Sequence, residues 1–237
     1  MGRTTSVLRF TAWAVAVVAW FVVAPHLPRV GLWPAVAIVS AAVIPGTLLL
    51  VLLALPLSEL DWRPLVAATL VFALIAFGCS EAGWGLPANF AKLTAAVLAG
   101  WAFLKGFEQL SWVVLIAVVV PFVDAISVWR GPTHAITTNH FHIYKTVAIA
   151  FVVPHGGAAY LGPPDILFYA LFLAAAVRWH LRVGWTWLAT TGMYALTVVI
   201  ANAAEVDGLP ALPFLSVGFL LANADLLWCR FRRPSAA

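Results

Sequence analysis

Residues 110–129 read Leu-Ser-Trp-Val-Val-Leu-Ile-Ala-Val-Val-Val-Pro-Phe-Val-Asp-Ala-Ile-Ser-Val-Trp, and Asp124 is the only ionisable side chain among them. About 20 apolar residues are what a helix needs to cross the ~30 Å hydrocarbon core of a bilayer. A carboxyl inside such a run costs several kcal/mol on insertion scales and therefore asks for a function. Similar apolar runs fall at 8–25, 33–57, 64–80, 87–105, 161–181, 185–204 and 211–229. The pattern predicts an all-α, multi-pass transmembrane helical bundle of eight spans, or nine if one run divides. Residues 1–237 form a single membrane domain, with N-terminal helices in 1–109 and the chemically promising half in 110–237.

Composition agrees with that reading. Hydrophobic residues make up 64% and charged residues 9% of the 237, against roughly 45–50% and about 25% in soluble domains. Too few polar residues remain to cover a soluble surface, and a disordered chain would be polar and charge-rich. The net charge of +4 and pI near 9.4 do not point to nucleic acid. The cations stand singly or in pairs beside apolar runs, where membrane topology and anionic headgroups explain them. Cys79 and Cys229 make neither a disulfide framework nor a metal motif and are expected to be free. Arg3 and Arg9 ahead of the first run resemble a signal peptide, but the spans that follow favour a retained first helix. The opening Met-Gly-Arg-Thr-Thr-Ser matches a myristoylation pattern by coincidence.

Pro45-Gly46 interrupts the long second run and predicts one kinked, tilted helix. Trp62, Trp84, Trp129, Trp179, Trp185 and Trp228 fall at run ends, as interfacial belts require. No internal repeat is evident, which weakens a transporter reading. With eight spans, Arg3, Arg9, Arg63, Lys105, Arg178, Arg182, Arg230, Arg232 and Arg233 share one side, and Arg29, Arg130 and Lys145 lie on the other; Lys92 is ambiguous. The positive-inside rule then puts both termini in the cytoplasm. Arginine outnumbering lysine, with abundant Ala and Val, hints at a prokaryotic cell membrane.

The acidic residues sort sharply. Glu59, Asp61, Glu81, Glu108, Glu205 and Asp207 lie in connections, whereas Asp124, Asp165 and Asp225 fall within apolar runs. Asp124 lies near the end of one run and Asp165 near the start of the next. Antiparallel neighbours bring such positions to similar depth, at ~1.5 Å of rise per residue. Two carboxyls brought close cannot both ionise cheaply and share a proton, giving one acid and one base. A water between them could attack a peptide carbonyl. The same charges also fit structural hydrogen bonding or proton carriage.

The neighbouring residues narrow this choice. Asp124-Ala-Ile-Ser-Val, Gly162-Pro-Pro-Asp165-Ile-Leu-Phe-Tyr and Pro210-Ala-Leu-Pro213 occur in that order on three late spans. Together they resemble the presenilin and signal peptide peptidase family of intramembrane aspartyl proteases. That family carries Tyr-Asp, Gly-x-Gly-Asp and Pro-Ala-Leu motifs on its sixth, seventh and ninth helices. The resemblance covers about residues 110–229. It implies that Asp124 and Asp165 are the catalytic pair, and that Gly162, Pro210, Ala211 and Leu212 belong to the active-site wall. It further implies a transmembrane peptide or remnant signal peptide as substrate, and a reaction needing no metal or organic cofactor. The stretch 146–153, rich in β-branched residues and too short to span, reads as a strand or a partly inserted segment; the same resemblance implies that it pairs with an unwound substrate as a strand.

The chain also departs from the family pattern. Val123 stands where the family has Tyr, and Pro164 replaces the second Gly of Gly-x-Gly-Asp, which leaves room for a pseudo-protease of low turnover. Pro163-Pro164 suits a helix start, whose dipole would favour charge on Asp165 and leave the shared proton on Asp124. Eight spans against the family's nine imply a missing or merged early helix. A cytoplasmic C-terminus resembles the signal peptide peptidase orientation and would favour type II segments. Asp225 is expected to pair with a nearby arginine at the membrane surface. His134, His140 and His142 are expected to lie in a solvated loop rather than bind metal. Two rivals remain: a prepilin-type peptidase, which lacks a Pro-Ala-Leu element, and a proton-coupled carrier or scaffold.

Overall fold

The computed structural model describes residues 3–130, 146–206 and 209–232. The chain is mostly helical: α1 Arg3–Val23, α2 Leu32–Ile38, α3 Ile44–Ala54, α4 Trp62–Glu81, α5 Gly85–Leu104, α6 Leu110–Arg130, α7 Pro163–Arg178, α8 Val183–Ala203, α9 Leu212–Ala222 and α10 Ala224–Arg232. A hairpin, β1 Ile149–Val152 with antiparallel β2 Ala158–Leu161, precedes α7. The strand expected within 146–153 is therefore present, and its partner β2 is an addition to the all-α expectation.

Among the described residues, five helical stretches are long and apolar enough to cross a bilayer: Ser6–His26, Leu32–Glu59, Trp62–Glu81, Leu110–Val128 and Val183–Ala203. A sixth results if α9 and α10, bent by 68°, count as one span. The remaining two of the eight predicted runs are helices that fall short of this standard. The run at 87–105 is α5, whose apolar sequence is interrupted by Asn89 and Lys92. The run at 161–181 shortens to the 16 residues of α7, about 24 Å at ~1.5 Å per residue and less than the ~30 Å core.

That short helix is the centre of the molecule. Ile166 and Tyr169 through Ala176 are all buried, and a helix apolar all round belongs inside a bundle rather than on its surface. Helix α5 approaches it so closely that a Cβ on Gly100 would stand 2.2 Å from the Leu167 carbonyl oxygen. Small residues allow such backbone approach where packing, not water exclusion, drives helix association. On the other side Phe172 stacks on Phe219 of α9, ring centroids 4.7 Å apart. Tyr169 hydrogen-bonds Thr191 of α8 at 3.0 Å.

The long second run is one interrupted helix. Its Pro45 has no N–H to donate and its ring crowds the carbonyl four residues back. The chain accordingly widens into a π turn over Val39–Val43 before α3 continues. Trp13 of α1 donates its indole N–H to the Gly46 carbonyl at 2.7 Å. The last run breaks at Asn223, which is fully buried. Its amide donates to Thr186 Oγ1 and the Phe219 carbonyl, and its side-chain oxygen accepts from the Arg182 N–H. A polar side chain tied in three directions pins the end of α9 to the start of α8 and turns α10 away.

Trp62, Trp84, Trp185 and Trp228 are exposed at helix ends, as the belt pattern predicts. Arg178, at the end of α7, donates to the Leu104 carbonyl at the end of α5, and Arg230 donates to the Trp179 carbonyl. Asp225 pairs with Arg182 at 2.6 Å, as expected, with both side chains about half exposed (56% and 46%). Exposed pairs of this kind contribute roughly 0–1 kcal/mol. Arg182→Ala should therefore lower the melting temperature by no more than about 4 °C, a shift that thermal unfolding in detergent would measure. Cys79 and Cys229 are both free. The three loop histidines lie outside the described residues.

Candidate functional site

Two helix starts and one helix interior build the site. At the first helix start, Pro163 and Pro164 occupy the opening of α7, where a missing N–H costs nothing because that donor has no intrahelical partner. Gly162 precedes them in extended conformation (φ −68°, ψ 146°). Its N–H donates to Asp165 Oδ2 at 3.0 Å, and its carbonyl accepts the Asp165 N–H at 3.1 Å. This reciprocal pair fixes the Asp165 carboxyl at the top of the central helix.

The second helix start is α9. Ala211, which precedes it, offers no side chain to satisfy the first amides, and Pro213 follows Leu212. The donor left over, Leu212 N–H, goes to Asp124 Oδ2 of α6 at 3.1 Å. A carboxylate from a distant helix thus performs the task that Ser, Thr, Asn or Asp performs locally at ordinary helix starts. Pro210, Ala211 and Leu212 are buried beside it. Asp124 sits in α6 three residues beyond the internal Pro121. Its helix also packs against α7, the helix that carries Asp165.

Asp124 thus bonds Leu212 across 88 residues of chain, Gly162 bonds Asp165, and the three helices that carry these groups, α6, α7 and α9, pack against one another. One detail of the sequence reading changes. The helix-start dipole invoked for Asp165 alone acts on both acids, because Asp124 lies at the start of α9. Val123 is 60% exposed on the outer surface of α6, so the departure at that position does not alter the interior of the site.

An apolar groove of about 670 Å³ runs between α4, α5 and the start of α7. Ala73, Phe77, Ala96, Phe103 and Phe168 line it, and it reaches Pro163 and Pro164, directly before Asp165. Lys92, on the same wall, donates to the Ala148 carbonyl at 3.5 Å. Sequence reasoning left Lys92 unassigned and passed over Asn89. The available signal was two polar residues three apart inside an apolar helix, which share a face and carry the presumption of function that intramembrane polar groups carry. Among the described residues no group of three His, Cys, Asp or Glu side chains could hold a metal ion.

The fold and site define a helical membrane protein with two carboxyls set against two helix starts. No protein-family model matches the chain, and neither curated proteins nor solved structures provide a match.

Proposed function

We propose that the chain is an intramembrane aspartic endopeptidase acting on single transmembrane segments or remnant signal peptides. The observation that carries this reading is the placement of two acids at neighbouring helix starts: Asp124 takes the Leu212 amide at the start of α9, Asp165 takes the Gly162 amide at the start of α7, and α6, α7 and α9 pack together. Two carboxyls within mutual influence share one proton. The ionised partner takes a proton from a bridging water as its oxygen attacks the scissile carbonyl carbon, while the protonated partner hydrogen-bonds the developing oxyanion. Collapse of the resulting diol breaks the C–N bond, with the leaving nitrogen taking a proton from the pair. No metal or organic cofactor is needed.

The apolar groove leading to Pro163-Pro164 suits a hydrophobic segment arriving from the bilayer. Once unwound, that segment must satisfy its backbone groups in a medium without water. We assign the pairing to β2 rather than to 146–153 as a whole, because β2 ends at Leu161 and runs directly into Gly162. Counted with α5 and α7 as traversing helices, the topology is the eight-span arrangement, with both termini in the cytoplasm of a prokaryotic cell by the positive-inside rule.

The test is cleavage of a synthetic transmembrane peptide by the wild type and by Asp124→Asn and Asp165→Asn. Undiminished cleavage in either variant sinks the reading, and Asp124-dependent proton flux without cleavage would point to a carrier. A second outcome concerns Gly162, where a Cβ would stand 3.2 Å from Asp165 Oδ2. The backbone there tolerates any residue, so Gly162→Ala should fold normally while displacing the carboxyl by a few tenths of an ångström. A kcat lower by roughly threefold to tenfold, at unchanged melting temperature, is expected.

A further inference from the structure

We propose that Trp20, Asn89 and Lys92 form a side-chain cap that closes the outer edge of β1, so that no substrate strand pairs there, away from Asp165. The proposal rests on the peptidase reading given above. In an antiparallel pair, alternate residues turn their amide groups toward the partner strand and the others turn them away. The register pairs Ile149 with Leu161, Ala150 with Tyr160, Phe151 with Ala159 and Val152 with Ala158.

The residues that face away are Ala150 and Val152 of β1 and Ala148 just before it, and each is taken by a helix side chain. Lys92 Nζ donates to the Ala148 carbonyl at 3.5 Å. Asn89 Nδ2 donates to the Ala150 carbonyl at 3.0 Å, and Asn89 Oδ1 accepts the Ala150 N–H at 2.7 Å. Trp20 Nε1 donates to the Val152 carbonyl at 3.1 Å. Three successive outward positions are thus met from two helices. Asn89, buried to 8% exposure, supplies one donor and one acceptor to a single residue, as a neighbouring strand would.

An uncovered strand edge is a template for any extended chain. A peptide on β1 would lie two strand spacings from β2, roughly 10 Å away from it. Misplacement of a reacting bond by about 1 Å already costs on the order of a hundredfold in rate. Binding at that edge would therefore hold the substrate without cutting it. The cap removes this unproductive site, and Asn89 is its positioning residue.

Photo-crosslinking with mass mapping provides the test, using the intact protein in detergent and a synthetic transmembrane peptide that carries a photoreactive residue near its scissile bond. Wild type should label within 158–161. Asn89→Leu should label 148–152 as well, exchange the Ala150 amide at least tenfold faster, and cleave with kcat and KM lowered together while kcat/KM is kept, the signature of non-productive binding. Asn89→Gln, which keeps both functions of the amide, should restore the wild-type pattern at least in part. Labelling of 148–152 in the wild type, or an Asn89→Leu protein that labels and cleaves as the wild type does, overturns the proposal. A wild type that labels 158–161 without Asp-dependent cleavage would remove the peptidase reading while leaving the cap in place.

Discussion

Asp165→Asn and Asp124→Asn should each lower cleavage of a transmembrane peptide by about a thousandfold or more, with little change in melting temperature. General acid–base participation contributes typically 10²–10⁴-fold, and a carboxamide can neither take the proton of the attacking water nor deliver one to the leaving nitrogen. The substitution is conservative for the fold. An amide oxygen can still accept from the Gly162 N–H, and another from the Leu212 N–H, so both helix starts remain capped. Alanine at either position would lose that cap and confuse chemistry with stability, since a lost cap costs about 1 kcal/mol. Because the two acids act as one unit, the double variant should be little worse than either single one. Additive losses would indicate that the two side chains serve separate roles. The wild-type rate should follow a bell-shaped pH profile that the residual activity of either variant lacks.

Gly100→Ala should be the most damaging small substitution in the molecule. The added Cβ would fall 2.2 Å from the Leu167 carbonyl oxygen and 3.1 Å from Ala170 Cβ. The obstacle is backbone of the central helix and cannot rotate aside, so α5 and α7 must separate. Overpacking typically costs about 1–3 kcal/mol, which for a chain of this length corresponds to roughly 3–10 °C in melting temperature. Activity should fall further than stability, because Leu167 is two residues from Asp165 and a shift of α7 moves the carboxyl. Gly192→Ala in α8 is the control. Nothing lies within 4 Å of a Cβ there, and relief of glycine's backbone entropy should leave the protein unchanged or more stable by roughly 0.5–1 kcal/mol. Equal melting curves for Gly100→Ala and wild type would show that the two helices do not meet as tightly as described.

Much of the bundle was legible in advance because bilayer-compatible helices announce themselves by length and apolarity. The run 110–129 needed only its own sequence to become α6, and Pro45 foretold the interruption of the second helix. The strand within 146–153 could be suspected from its β-branched residues, but β2 could not. Ala158-Ala-Tyr-Leu161 has little strand character, and it is extended because the turn at Pro154–Gly157 folds it back on β1 and the Val153 N–H finds the Gly157 carbonyl at 2.8 Å. The break at Asn223 was equally hidden. Its partners Thr186 and Arg182 are 37 and 41 residues away, and no local pattern reports such distances.

Sequence alone determined that the chain belongs in a membrane, that its carboxyls at 124 and 165 are exceptional, and that Pro210, Ala211 and Leu212 deserve attention beside them. The first two conclusions depend on solvation, which each residue carries with it wherever it goes; the third rests only on the resemblance of the motif to that of a protease family. Only the tertiary structure decided that a spare amide at the start of α9 falls to Asp124, that a 16-residue helix forms the centre, and that Trp20, Asn89 and Lys92 converge on one strand edge. Those arrangements depend on which helix faces come together, and that is settled by close packing around residues such as Gly100, across separations in the chain where hydropathy carries no information.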